Sequence, residues 1–445
     1  MENHLRHGRL EARTIGLILV FGFLSRVPFV GPGFGSDPDA WRVANSARRL
    51  AETGVYVPSR MPSYPLHEFT SAALYKIHPS MMVWASVAFA ALAGVVLAAI
   101  LANLGFRNYL PLSIAFLSAP VTLVCSTMAM DYVWGVCFLL TAVYFASTRR
   151  LALSAISTGL LVASRPSSVV LLPILIAYAV WNRGKDEWAK AVIGFIAVSI
   201  GVAGLFFFPV YLKYGFSYFG YYPGKTDRIS MFLRSSDCFG NVGLLVLVGS
   251  LVVSAVTVWR QRESNTRGAV ASFMSASIAI VVVVLIVFAR FPYEIAYLLP
   301  AIPFLIALAG FNKSELLAWI LAASLLAGNF VDINMHLKPT RGWMIRELDI
   351  RERQVDRASL IATRIARLEG NALVVCGSIQ PWVTYMLGTH TPQANKVVYG
   401  ISKEMLDKIN AKERRLWYLA GIDKWNKEVY GVDLAELGAN QLDLR

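Results

Sequence analysis

Two carboxylates separated by a proline, Asp37-Pro38-Asp39, stand just beyond the first long apolar run of the chain, Thr14 to Gly33. A positioned aspartate can take the proton of a hydroxyl as a general base. A charged carboxylate is costly inside hydrocarbon, and the run before it has the roughly 20 residues needed to cross a bilayer. The pair therefore belongs in water or in a polar cavity. The same residues also read as a helix start, with Ser36 or Asp37 as cap, Pro38 in the first turn and Asp39 complementing the dipole. Both readings can hold together, because a helix start is a rigid mount for a carboxylate.

Further polar groups recur at the ends of apolar runs. Asp131, in Met128-Ala129-Met130-Asp131-Tyr132, is a helix cap or a second carboxylate facing the same cavity as Asp37. Arg165 in Ser164-Arg165-Pro166 and Arg290 in Arg290-Phe291-Pro292-Tyr293-Glu294 are snorkelling interface residues or phosphate ligands, for which the planar guanidinium is suited. Glu294 can pair with Arg290. In Arg60-Met61-Pro62-Ser63-Tyr64-Pro65-Leu66-His67-Glu68 two prolines fix a bend, with Arg60, His67 and Glu68 beside it. His67 has no second histidine at metal spacing. Neither a Walker-type loop nor a nucleophile elbow is present, and Cys376-Gly377-Ser378 is too short to be a Gly-rich phosphate loop.

The elements that hold these groups are apolar helices. Hydrophobic residues make up 56% of the 445 and charged residues only 16%, too apolar for a soluble globule. Long uninterrupted runs predict an all-α polytopic membrane bundle, whereas a β-barrel would alternate. Eleven spans are expected, near 14–33, 82–104, 109–126, 131–147, 151–164, 166–181, 189–212, 239–259, 269–289, 293–310 and 315–331. The first reads as a retained signal anchor. Arg6, Arg9, Arg13, Arg149, Arg150, Arg183, Lys185, Lys190, Arg260, Arg262 and Arg267 fill alternate connections, which places that face in the cytoplasm. The Asp37 loop, the long loop 213–237 and everything after Val331 then lie outside. Much of the net charge of +14 flanks spans, which points to anionic headgroups or phosphate-bearing substrates and not to nucleic acid. The four cysteines lack metal-type spacing, and Cys125 and Cys137 read as small buried hydrophobes.

Residues 1–331 thus form the membrane domain, whose first outer loop, 34–80, carries amphipathic helices over Trp41–Glu52 and Pro65–Ile77. Residues 332–445 read as a small α/β domain. Its expected elements are a basic helix Arg351–Leu368, a strand Ala372–Cys376, a helix Gln380–Leu387, strands Val397–Tyr399 and Leu416–Leu419, and a helix Lys403–Lys412.

The order of these features resembles the GT-C superfamily of integral-membrane glycosyltransferases, nearest to the branches of protein O-mannosyltransferases and lipid A aminoarabinose transferases. The resemblance covers about residues 14 to 310 and rests on five stretches. They are Ser36-Asp37-Pro38-Asp39, Arg60 with Pro62-Ser63-Tyr64-Pro65-Leu66, Asp131, Ala163-Ser164-Arg165-Pro166, and Tyr297-Leu298-Leu299-Pro300 with Pro303. Asp-Pro-Asp replaces the usual adjacent acidic pair, and Ser63 stands where the family pattern has glycine. The resemblance implies transfer of a sugar from a polyprenyl-phosphate donor to a lipid, glycan or protein hydroxyl at the outer face of the cytoplasmic membrane, with inversion. Asp37, Asp39 and Asp131 would be catalytic, with Asp37 favoured as base. Arg60, His67, Glu68, Arg165, Arg290, Tyr293 and Glu294 would bind substrate. No cofactor is implied, and a divalent metal is an option that nothing in the sequence supports. Membrane lipids are the other expected partners. The rival readings are a lipid-linked oligosaccharide flippase and a non-catalytic envelope assembly protein. Ionisable residues gathered at one face, without repeat symmetry, favour the enzyme.

Overall fold

Where apolar runs are long, the backbone must satisfy its own hydrogen bonds, and helices dominate the membrane part accordingly. The computed structural model describes residues 10–181, 185–216, 228–260, 268–334, 336–368, 372–388, 396–408 and 415–442. The basic connections 182–184 and 261–267, the middle of the long loop 213–237 and the end of the helix expected at Lys403–Lys412 lie outside these.

In chain order the membrane part runs α1 (Ala12–Leu24), α2 (Pro38–Thr53), α3 (Pro65–Tyr75), α4 (Met81–Asn103), α5 (Tyr109–Ser118), α6 (Pro120–Ser126), α7 (Tyr132–Ser147), α8 (Leu151–Ser164), α9 (Leu172–Val180), α10 (Lys185–Tyr214), α11 (Arg228–Leu233), α12 (Asn241–Arg260), α13 (Gly268–Arg290), α14 (Ile302–Ala309) and α15 (Glu315–Ala327). Among the described residues six segments are long and apolar enough to cross a membrane, and the pair α5–α6, bent by 64°, makes a seventh if taken as one span. Shorter apolar helices, 132–147, 151–164, 166–180 and 315–327, fall on the remaining expected spans. The chain is a multi-pass membrane protein.

The α5–α6 bend shows how the bundle meets its own polar demands. Pro120 cannot donate to the preceding turn, so the helix breaks there. Carbonyls at the break find partners elsewhere: Leu117 accepts from the buried Arg26 guanidinium, and Ser118 accepts from Asn329 Nδ2 at 2.7 Å. Arg26 also donates through Nε to Ser126 Oγ at 3.1 Å, tying the end of α1 to both sides of the bend.

After α15 a short hairpin, β1 (Val331–Ile333) with β2 (Pro339–Arg341), leads into the long basic helix α16 (Trp343–Ala366). Then follow β3 (Ala372–Val375), α17 (Gln380–Leu387), β4 (Lys396–Val398), α18 (Lys403–Lys408), β5 (Arg415–Leu419), α19 (Ile422–Tyr430) and β6 (Asn440–Leu442). The last four strands form one parallel sheet in the order β4-β3-β5-β6. The α/β character and the three expected strands are present; the β1–β2 hairpin, α19 and β6 add to them.

This C-terminal part is packed onto the first loop. Trp41 of α2 lies 5.7 Å from Trp382 of α17, centroid to centroid. Asn45 Nδ2 donates to Pro381 O at 2.8 Å, and Arg48 Nη1 to Tyr385 O at 2.7 Å. From α16, the fully buried Arg351 donates to Glu347 at 3.0 Å and to Thr127 O at 2.9 Å, while Glu347 accepts from the Ser36 hydroxyl. The acidic loop is thus clamped between the α6–α7 connection and α16.

Candidate active site

Asp37 caps α2. Its extended backbone (φ −76°, ψ 128°) stops the helix, and its carboxylate accepts the Asp39 N–H at 2.8 Å. Asp39, within the first turn, is held by Arg42 at 2.6 Å and by Arg60 Nε at 3.3 Å. Among the described residues Asp37 has no ion-pair partner of its own. Burial, and then the neighbouring Asp39, push its carboxyl up to about 7.

Asp131 is fully buried and makes no side-chain cap to α7. Its two oxygens are divided between arginines from distant parts of the chain: Oδ1 accepts from Arg60, and Oδ2 from Arg165 Nη1 at 2.9 Å. Arg60 therefore links the Asp39 and Asp131 carboxylates. Two tyrosines flank Arg165, Tyr132 at 4.4 Å and Tyr297 at 5.1 Å from its guanidinium carbon, and Tyr64 lies 3.7 Å from that of Arg60. Cation–π contacts of this kind fix a guanidinium plane without consuming its N–H donors.

The bend that presents Arg60 is organised by Glu68. That carboxylate is 1% exposed and accepts from the Tyr56 and Ser59 hydroxyls and from Ser59 N at 2.7 Å. Ser63 Oγ and Tyr64 N lie at 3.4 Å. The Met61–Pro62 peptide is cis, and Ser63 adopts a positive φ of 84°, the conformation for which glycine is the usual residue. Glu68 thus holds the loop, and the loop holds Arg60. His67 is sealed from solvent, edge-on to Trp134 at 5.0 Å, with no partner for either ring nitrogen. Burial lowers its pKa to about 4, so the ring is neutral. His67 and Glu68 are both sealed inside the loop, whereas the Arg60 side chain keeps 12% of its surface exposed.

Glu294 sits with the acidic loop and makes no ion pair with Arg290. One oxygen each from Asp37, Asp39 and Glu294 lie within 4.8 Å of one another, and Glu294 Oε2 is buried without a hydrogen-bond partner. Three such oxygens can hold a hard divalent cation. Arg42 and Arg60 already neutralise one of them. Arg290 is exposed at the end of α13, against Phe291, and the neighbouring Tyr293 is half-buried.

Beside Arg165 opens a cavity of about 340 Å³ whose walls are mostly apolar, among them Pro62, Val169, Val170, Val284 and Phe291. Its polar lining includes Arg165, Tyr64 and Tyr297. One end of a long apolar molecule would find hydrocarbon-like walls there, and an anionic head would find a guanidinium. Sequence reasoning named Arg60, Arg165 and the aspartates but gave no role to Tyr64, Tyr132 or Tyr297. The signal for them was their place in the quoted motifs, Tyr132 beside Asp131, Tyr64 four residues after Arg60, and Tyr297 at the head of Tyr297-Leu298-Leu299-Pro300.

No protein-family model and no curated protein matches this chain. Among solved structures it is similar to ArnT from Cupriavidus metallidurans bound to undecaprenyl phosphate, with a TM-score of 0.61 and 14% identity over 97% of this chain and 89% of that one. It is also similar to the apo state of the same protein, with a TM-score of 0.59 and 14% identity over 89% and 86% of the two chains. What these likenesses establish is architecture: the chain has an ArnT-like fold, a helical membrane bundle with a small C-terminal α/β part.

Proposed function

We propose that the chain is a membrane glycosyltransferase that moves a sugar from a polyprenyl-phosphate donor to an acceptor hydroxyl at the outer face of the cytoplasmic membrane. The observation that carries this reading is a juxtaposition. An apolar cavity shares Arg165 with the buried Asp131, and Arg60 links Asp131 to the acidic loop. The undecaprenyl phosphate bound by the structural neighbour is the kind of ligand such a cavity would take.

In this reading the prenyl chain lies along the valines and Phe291, and the donor phosphate meets Arg165 and Arg60. Asp37 takes the proton of the acceptor hydroxyl. That oxygen forms a bond to the anomeric carbon while the carbon–phosphate-oxygen bond breaks, and the electron pair leaves with the polyprenyl phosphate. A single displacement inverts the anomeric centre. Stabilising the leaving phosphate is the larger contribution, about 10²–10³ in rate per donor. Asp131 is a positioning residue: it touches neither reactant and keeps two guanidiniums side by side. The cytoplasmic basic loops and the placement of the C-terminal part outside follow from the charge pattern.

The test is reconstitution in proteoliposomes with a radiolabelled polyprenyl-phosphate sugar and a membrane extract as acceptor source. Label leaving the prenyl lipid, with free polyprenyl phosphate appearing by mass spectrometry, supports the reading. Movement of intact donor across the bilayer without cleavage contradicts it and marks a flippase.

A further inference from the structure

A second cavity, of about 280 Å³, lies between α16, the start of α17 and Pro38, the residue joining Asp37 to Asp39. The sheet order explains its place. Of the four strands in this sheet β3 comes first in the chain yet sits inside the sheet, with β4 on one side and β5 on the other. The connections therefore diverge beyond the carboxyl end of β3, the position where open parallel sheets bind ligands. The residues leaving that end are Cys376, Gly377 (φ 61°), Ser378 and Ile379, and the last two line the cavity.

The facing wall is one stripe of α16, Ile350, Arg353, Gln354 and Arg357, at helical spacing. Arg353 and Arg357 are like charges four apart, which costs the helix energy. Neither has an ion-pair partner among the described residues. Two buried polar atoms of lining residues also lack partners, Gln354 Oε1 and the Nε1–H of Trp382, a side chain only 1% exposed. Arg353 donates its Nε–H to Asp349 O at 2.9 Å, which leaves its Nη groups. Two guanidiniums without an ion-pair partner among the described residues, an indole donor, a hydroxyl and an amide oxygen around one cavity make a site for a phosphate carried on a hydroxyl-bearing group.

We propose that this cavity binds a phosphate monoester and thereby seats the acceptor, whose hydroxyl then reaches past Pro38 to the acidic loop. The acceptor role rests on the transferase reading above; the phosphate site does not. A lipid headgroup and a soluble sugar phosphate share this chemistry.

The test uses the full chain, in detergent, titrated with glucose 1-phosphate by isothermal calorimetry. A double variant, Arg353→Gln with Arg357→Gln, provides the comparison; both side chains are exposed, so folding is kept. Saturable binding, weakened about tenfold or more in the double variant, is expected from the loss of charge-assisted hydrogen bonds. In nanodiscs, competition by phosphatidate assigns the site to membrane headgroups, and its absence assigns it to soluble phosphates. No saturable binding, or equal binding by the double variant, overturns the site. Intact binding in a protein that transfers no sugar would leave the site standing and remove the transferase reading. Transfer without phosphate binding would do the reverse.

Discussion

Replacing Asp131 with asparagine changes one atom's identity at the centre of the candidate site. The wild-type carboxylate is fully buried, and the side chains of its partners, Arg60 and Arg165, are only 12% and 8% exposed. Solvent therefore screens these contacts weakly. Breaking a buried ion pair by removing one partner typically costs 3–5 kcal/mol, because a charge is left uncompensated. Asparagine keeps one acceptor oxygen but turns an N–H₂ toward the second guanidinium. The low end applies, about 3 kcal/mol. The arginines also lose the restraint that aims them at the donor phosphate, and misplacement on the order of 1 Å costs about 10²-fold in rate. The assay pairs thermal unfolding of the detergent-purified protein with donor turnover. Asp131→Asn should unfold several degrees lower and turn over about a hundredfold more slowly. Adding Arg165→Gln should restore part of the lost stability, because Asp131 is the one ion-pair partner of Arg165 among the described residues whereas Arg60 keeps Asp39, without restoring turnover. If Asp131→Asn is as stable as wild type and the two substitutions act additively, the three side chains are not one unit and the reasoning fails.

Asp37 and Glu68 each carry further expected outcomes. With Asp37 poised at about 7, kcat/KM should rise about tenfold per pH unit on the acid side and level off above neutrality. The sign for stability is the opposite. The folded-state value lies above the ordinary 3.8, so Asp37 favours the folded state at low pH, and that contribution is lost as pH rises through about 7. Thermal unfolding across that interval checks it. Glu68→Gln should cost about 1–3 kcal/mol, since an amide N–H₂ must replace an oxygen that accepts from Tyr56 or Ser59. It should also weaken donor binding through the displaced Arg60, read as a raised donor KM.

Local pattern made much of this architecture readable. Apolar runs located the helices, the cap at Asp37 follows from residue type, and the Val/Leu-rich stretch Ala372–Val375 announced the central strand. Asp131 and Arg165 were legible as charges at the ends of apolar runs, where only function or pairing tolerates them. The pairing itself was not. Arg60 and Asp131 are 71 residues apart, Asp131 and Arg165 are 34, and no periodicity reports which span end meets which loop. Glu68 looked like a ligand because a carboxylate carries no mark of whether backbone and hydroxyl donors have already claimed it. Glu294 is next but three to Arg290, yet the turn through Pro292 sends it to the acidic loop. The docking of α17 and α16 onto α2 joins residues more than 300 apart. Only the folded chain shows that the C-terminal part forms a wall beside Pro38.

The central claim is that the uncompensated carboxylate at the start of α2 takes the acceptor's proton. Turnover of a polyprenyl-phosphate sugar by Asp37→Asn, in protein shown by size-exclusion and thermal unfolding to be folded, tests it most directly. The account predicts a fall of about 10²–10⁴ in kcat with the donor still bound, and loss of the pH step near neutrality. Turnover at the wild-type rate, with that step intact, would contradict it.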